Sequence, residues 1–203
     1  KTGWALAPAK LNFRNFRERK IRQKLPGPDK MSPQIQNPRR LPWLLLISAF
    51  IYAADQYTKS LVASRVRLGD SIPVIKGVFH ISHAINEGAA FSLFADSASP
   101  NAVRWGLVAF TVLASLAVLT ALIYMSHRIT TATVALALIL GGALGNLHDR
   151  ILTGFVVDFL EVHIIHYHWP DFNIADSAVV TGACLLLLDS LLPKKHPEPE
   201  PTA

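Results

Sequence analysis

The sequence predicts a membrane α-helical protein: four transmembrane helices with a small extracytoplasmic β-sheet cradle between helices 1 and 2. Three observations carry that expectation. Hydrophobic residues make up 51% of the 203-residue chain, and its mean hydropathy of +0.31 suits a membrane protein better than a soluble globule. Four stretches are uncharged or nearly so: Leu41–Ala54, Trp105–Ser126, Ile129–Leu147 and Ser177–Leu188. The lysines and arginines are spread unevenly around them.

The elements follow in order. Residues 1–40 form a basic cytoplasmic N-terminal extension, with eleven Lys or Arg against Glu18 and Asp29, a net +9. That block flanks an apolar run, so it reads as an orientation signal and not as a nucleic-acid patch. The first 30 residues lack the apolar core of a signal peptide. Met31 therefore reads as a native start, or the preceding segment as a dispensable extension.

A spanning helix needs roughly 20 mostly apolar residues. The second and third runs meet that length alone. The first reaches it only by including Asp55-Gln56-Tyr57-Thr58-Lys59, and the fourth by extending from Phe172 to Leu192. Arg39 and Arg40 precede span one, His127 and Arg128 join spans two and three, and Lys194 and Lys195 follow span four. The segment 153–175 has no Lys or Arg. Both termini are therefore expected in the cytoplasm, with segments of about 65–102 and 153–174 outside. The four-helix transmembrane domain occupies 41–192. Ile72, Val74, Val78, Phe79, Ile81 and Phe91 are strand formers broken by Pro73 and Gly77, which places the sheet in the first outer connection. Residues 193–203, with Pro-Glu-Pro-Glu-Pro, read as a disordered cytoplasmic tail.

With that topology the costly polar residues fall at one membrane level. Asp55, Lys59, Asn146, Asp149, Arg150 and Asp176 sit at the outer ends of spans, and Asn86 and Asp158 in the outer connections. Ionisable residues gathered at one depth mark a functional site. Asp158 and Asp176 on the same side fit a pair of carboxyls that share a proton and activate water. Asp55 and Lys59 are spaced i, i+4; a structural ion pair is the favoured reading, with direct catalysis the minority one. Gly142, Asn146 and Arg150 form one helical stripe, and Gly141, Gly145 and Asp149 the next. Glycines there permit close helix approach, and Gly142 and Asp149 are read, with Asp55 and Lys59, as structural support of the site. Asn86-Glu87-Gly88 suits a turn. His163, His166 and His168, with Glu161, lack a His-Glu-x-x-His element and read with Tyr167 and Trp169 as an interfacial aromatic belt; His80 and His83 have the same reading. No metal and no cofactor is expected. Cys184 is the only cysteine, so the chain cannot form an internal disulfide.

Taken together, these motifs resemble the bacterial lipoprotein signal peptidases, also called signal peptidase II. The matching segments are Asp55-Gln56-Tyr57-Thr58-Lys59, Asn86-Glu87-Gly88-Ala89-Ala90-Phe91, Gly145-Asn146-Leu147-His148-Asp149-Arg150, Val156-Val157-Asp158-Phe159 and Phe172-Asn173-Ile174-Ala175-Asp176-Ser177. His148 departs from the family, which more often has an apolar residue there. The resemblance implies an aspartyl endopeptidase of the inner membrane, with its active site facing the periplasm. It would cut diacylglyceryl-modified prolipoproteins just before the lipidated cysteine. Asp158 and Asp176 match the catalytic pair; Asn86, Gly88, Asn146, Arg150 and Asn173 match positions that hold the substrate or its intermediate; Asp55 and Lys59 match a supporting pair. Membrane lipids are the surroundings, a monomer is expected and nucleic acid is not. The rival class is a small ion-coupled transporter using Asp55, Lys59, Asp149 and Arg150. Against it, the acids do not run through the bilayer, and no inverted repeat is visible.

Overall fold

The computed structural model describes residues 40–88, 100–165 and 167–192. Its order is α1 (Leu41–Arg65), β1 (Ser71–Ile75), β2 (Phe79–Asn86), α2 (Pro100–Met125), α3 (Thr131–Leu152), β3 (Val156–Ile164), β4 (Tyr167–Phe172) and α4 (Ile174–Leu191). The basic extension up to residue 39, the 193–203 tail, His166 and the 89–99 stretch, with Ala89, Ala90 and Phe91 of the Asn86 motif, lie outside the described residues.

Among the described residues, three helices are long and apolar enough to cross a membrane. Asn101–Met125 has a mean hydropathy of 2.4, Thr131–Leu152 of 1.4 and Ile174–Leu191 of 1.7. Helix α1 has 25 residues, but Asp55, Gln56 and Lys59 in its second half dilute its hydropathy, and it is not one of the three. Pro42 falls in its first turn, where a missing N–H costs nothing.

Helix α3 is the centre. The apolar window of α3 is 56% buried against 17% for α2 and for α4, because α1, α2 and α4 all pack on it. Small residues make this possible. A Cβ on Gly141 would stand 2.6 Å from the Ser48 carbonyl of α1, one on Gly142 would collide with the Ala175 carbonyl of α4, and one on Gly182 would stand 2.7 Å from the Ala135 carbonyl. Leu44, Leu122, Leu136, Ala137 and Leu140 fill the seam between α1, α2 and α3. The outward faces are also apolar: Phe50, Phe110, Leu113 and Leu191 are about 70% exposed (71%, 71%, 68% and 71%). Such a surface matches acyl chains and not water. Thr130 caps α3 through a reciprocal pair with Thr133, and Asn173 caps α4 through one with Asp176.

The sheet is antiparallel in the order β1-β2-β3-β4. This corrects the expected position between helices 1 and 2. Half of it, β3 and β4, comes from the connection between α3 and α4, and β2 pairs with β3 across that divide, His80 opposite Glu161 and Ala84 opposite Asp158. Pairing between segments some 75 residues apart leaves no trace in either segment's own pattern. The same pairing makes the supposed aromatic belt a β-hairpin, with His163 opposite His168 and Ile164 opposite Tyr167. Val62 and Val66 at the end of α1 pack on Phe159, which ties the sheet to the bundle.

Replacing Gly142 by alanine is expected to push α4 off α3 at a cost of about 1–3 kcal/mol. Gly106→Ala, where nothing lies within 4 Å of the added Cβ, is expected to be neutral or to stabilise by up to ~1 kcal/mol. Thermal unfolding of the two variants in detergent checks this, and equal melting points would refute the close-packing account.

Candidate active site

The site is assembled where the C-terminal half of α1, the end of α3, the start of α4 and strands β2 and β3 converge. Its foundation is Lys59, 4% exposed. A lysine in that setting requires acceptors for each ammonium hydrogen. Lys59 Nζ has three: Asp55 Oδ2 at 2.7 Å, Asp149 Oδ2 at 2.7 Å and Asn146 Oδ1 at 2.9 Å. The structural ion pair read from the i, i+4 spacing of Asp55 and Lys59 is thus present, enlarged by Asp149. Asp55 is fully buried and its other oxygen accepts from the backbone N of Ala175 at 2.9 Å, in the first turn of α4. Gly145 leaves the room: a Cβ there would be 2.6 Å from Asp55 Oδ2.

Three asparagines stand between that foundation and the two aspartates. In each, the side-chain oxygen is engaged by a donor, which turns the NH2 toward a carboxylate. Asn146 Oδ1 accepts from Lys59 and its Nδ2 donates to Asp176 Oδ1 at 2.7 Å. Asn173 Oδ1 accepts from the backbone N of Asp176 at 2.9 Å, and its Nδ2 donates to Asp158 Oδ1 at 2.7 Å. Asn86 Oδ1 accepts from the backbone N of Gly88 at 2.8 Å, and its Nδ2 donates to Asp158 Oδ2 at 3.0 Å. Gly88 makes that turn at φ +92°, a conformation that favours glycine.

Asn173 therefore binds both acids. Its amide group holds Asp158, and its backbone N donates to Asp176 Oδ2 at 3.2 Å. Asp158 comes from a strand and Asp176 from the third position of a helix, so one capping residue places them together. Burial pushes the Asp158 carboxyl up from 3.8 to about 6, and the charge of Asp176 adds to the rise; the Asn86 and Asn173 donors and the Lys59 charge oppose it.

Arg150 lies within electrostatic reach of Asp176, Asp158 and Asp149. Among the described residues its side chain makes one hydrogen bond, a long one of 3.4 Å to the Asn146 carbonyl, and its Nε is buried without a hydrogen-bond partner. Of the residues named from the sequence, Gly142 is the one outside this network; it serves the α3–α4 crossing. Two contributors were not singled out. Gln56 donates to Asp149 Oδ1 at 2.9 Å and to the Gly145 carbonyl at 3.2 Å, bracing the foundation from α1. Arg104 of α2 donates to the carbonyls of Arg150 and Ile151, each at 2.8 Å, closing the end of α3. Nothing in their spacing distinguishes them from ordinary interfacial polar residues.

A pair of carboxyls, Asp158 buried with a raised pKa and Asp176 half-buried, is framed by amide donors and an arginine with an unengaged donor, an arrangement that can carry acid–base chemistry. The family model described as "Signal peptidase (SPase) II" matches residues 47–192. The lipoprotein signal peptidase of Solibacter usitatus is 44% identical over 153 residues, covering 74% of this chain and 91% of its own. That of Pseudomonas aeruginosa is 41% identical over 167 residues, covering 82% and 97%. A bacterial membrane enzyme solved by the in meso method at 1.9 Å superposes with a TM-score of 0.60 at 35% identity, covering 74% of this chain and 93% of that one. The chain belongs to the signal peptidase II family, as its motifs implied, and a peptidase family gives the transporter reading no support.

Removing the Lys59 charge strands two buried carboxylates, so Lys59→Met is expected to cost about 3–5 kcal/mol. Adding Asp55→Asn should recover part of that loss in thermal unfolding, and additive losses would refute the coupling. Asp158 has its own signature. Because its folded value lies above the ordinary one, its contribution to stability is complete below about pH 4 and is lost as pH rises through about 6. Over that window Asp158→Asn is expected to gain up to ~3 kcal/mol relative to wild type. Parallel stability–pH curves for the two proteins would refute it.

Proposed function

We propose that the chain is an aspartyl endopeptidase that removes the signal peptide from diacylglyceryl-modified prolipoproteins, cutting before the lipidated cysteine, with Asp158 and Asp176 as the catalytic pair. The observation that carries this reading is the double grip of Asn173 on the two carboxyls. Two acids so linked, Asp158 buried and Asp176 half-buried, hold one proton between them most cheaply. The ionised member takes a proton from water, and the resulting hydroxide adds to the scissile carbonyl carbon. The protonated member hydrogen-bonds the carbonyl oxygen. As the C–N bond breaks, the departing amine takes a proton, so one water is consumed and the pair returns to its starting state.

Arg150 and the amides of Asn86, Asn146 and Asn173 supply positive potential where charge develops on that oxygen. The unpartnered Nε of Arg150 is a donor available to a substrate carbonyl. Gly88 keeps the Asn86 turn tight, and Asp55, Lys59 and Asp149 hold the frame rigid. The site needs no metal or cofactor for these steps.

We place α1 as a fourth span beside the three apolar helices. Its charged residues are buried against α3 and α4 and not turned to lipid, which removes the main cost of crossing. The lysine- and arginine-rich flanks then put both termini in the cytoplasm and the aspartates at the outer face of the bacterial inner membrane. A diacylglyceryl anchor holds a substrate's cleavage point at that level, so proximity contributes to rate. The reading is of a monomer, since one chain supplies every residue named.

Asp158→Asn and Asp176→Asn are expected to insert and fold normally and to lose at least ~10³ of the cleavage rate. A gel-shift assay with a lipidated prolipoprotein in detergent reads this. Near-normal cleavage by either variant would refute the pair.

A further inference from the structure

The sheet carries a second cluster that the peptidase reading leaves unused. Along a strand, residues two apart share a face, and cross-strand partners stand side by side. Glu161 and His163 are two apart on β3. His80 on β2 is the partner of Glu161, and His168 on β4 is the partner of His163. Four chemistry-bearing side chains thus meet on one face. Asp158, three residues from Glu161 on the same regular strand, belongs to the other face.

The geometry is convergent. Glu161 Oε1 lies 2.7 Å from His163 Nε2 and 3.3 Å from His168 Nε2, and its Oε2 lies 3.6 Å from His80 Nδ1. One donor atom each from His80, Glu161 and His163 all fall within 4.8 Å of one another. A tetrahedral ion with bonds of about 2.0–2.1 Å needs its donors about 3.3 Å apart. The donors therefore draw together by up to about 1.5 Å when an ion seats.

Hydrogen bonding alone leaves the cluster incomplete. His80 Nδ1 and Asp171 Oδ1 are buried with no hydrogen-bond partner, although Asp171 Oδ1 is 3.5 Å from His168 Nε2. Three imidazoles crowd one carboxylate, and a bound cation would use the lone pair of each. Imidazole nitrogens with a single carboxylate and no thiolate select a zinc-class ion over magnesium or calcium, which require oxygen shells. The side chains of His80, Glu161 and His163 are 18%, 14% and 33% exposed, which leaves an entry path.

We propose that His80, Glu161 and His163, with His168 as fourth donor, form a zinc-class cation site on the face of the sheet opposite Asp158. Such an ion clamps β2, β3 and β4 together. It joins the two connections near the end where their pairing is most distant in sequence. The site stands independently of the peptidase reading, because it uses none of the same side chains.

The test uses tag-free full-length protein in detergent, stripped with a chelator and then titrated with Zn2+ by calorimetry, with Co2+ absorption to report geometry. One Zn2+ per chain, a tetrahedral Co2+ spectrum and a Zn2+-dependent rise in melting temperature that Mg2+ does not produce are expected. The double variant His80→Asn/His163→Gln should lose affinity by about a hundredfold or more together with the melting shift. His148→Gln, on α3 and hydrogen-bonded to Tyr52, should keep both. Absence of saturable Zn2+ binding by folded wild type would overturn the proposal, as would wild-type affinity in the double variant.

Discussion

The ammonium of Lys59 has three hydrogens, and Asp55, Asp149 and Asn146 take one each. These acceptors come from α1 and α3, and Asp55 also receives the backbone N of Ala175 from α4. A single buried cation therefore fixes how three helices sit at one end of the bundle. Interiors of low dielectric make such an arrangement severe: complete, it is rigid, and with one member missing it leaves a bare charge. The glycines of α3 belong to the same constraint. Gly145 touches Asp55, and Gly141 and Gly142 bring α1 and α4 close enough for the network to close.

From that foundation order passes outward through asparagines. An amide group is ambiguous until something engages its oxygen. Lys59 does so for Asn146, the Asp176 backbone for Asn173 and the Gly88 backbone for Asn86. Once their oxygens are engaged, all three amides offer NH2 to the carboxylates. The aspartates are thus supported by donors that cannot rotate away, which is the preorganisation a charge-developing reaction requires. The Asn173–Asp176 capping box does double service: it terminates α4 and positions an acid.

The sheet answers a different need. Asp158 must approach a helix N-terminus, and a strand paired on both edges holds it there more firmly than a loop would. Packing of Phe159 on Val62 and Val66 anchors the strand to α1. The alternation of that strand puts the histidine cluster on the face away from Asp158, so the two constellations share a backbone and no side chain.

Much of this was legible in the residues alone. Apolar runs place α2, α3 and α4 because helix-forming and span-forming signals are local. The i, i+4 spacing of Asp55 and Lys59 announces their pairing, and the motif set contains the polar residues of the network, Gln56 among them without a role of its own, while Arg104 lies outside every motif. Tertiary structure alone decided the rest. The sheet's second half was invisible because β2 and β3 meet across a long loop, and strand partners at such separation follow from neither segment's pattern. The direction of each asparagine was likewise undecided, since it depends on donors from other elements. His80 and Glu161 could not be brought together by reading, because 81 positions apart in a chain, only a shared register makes them neighbours.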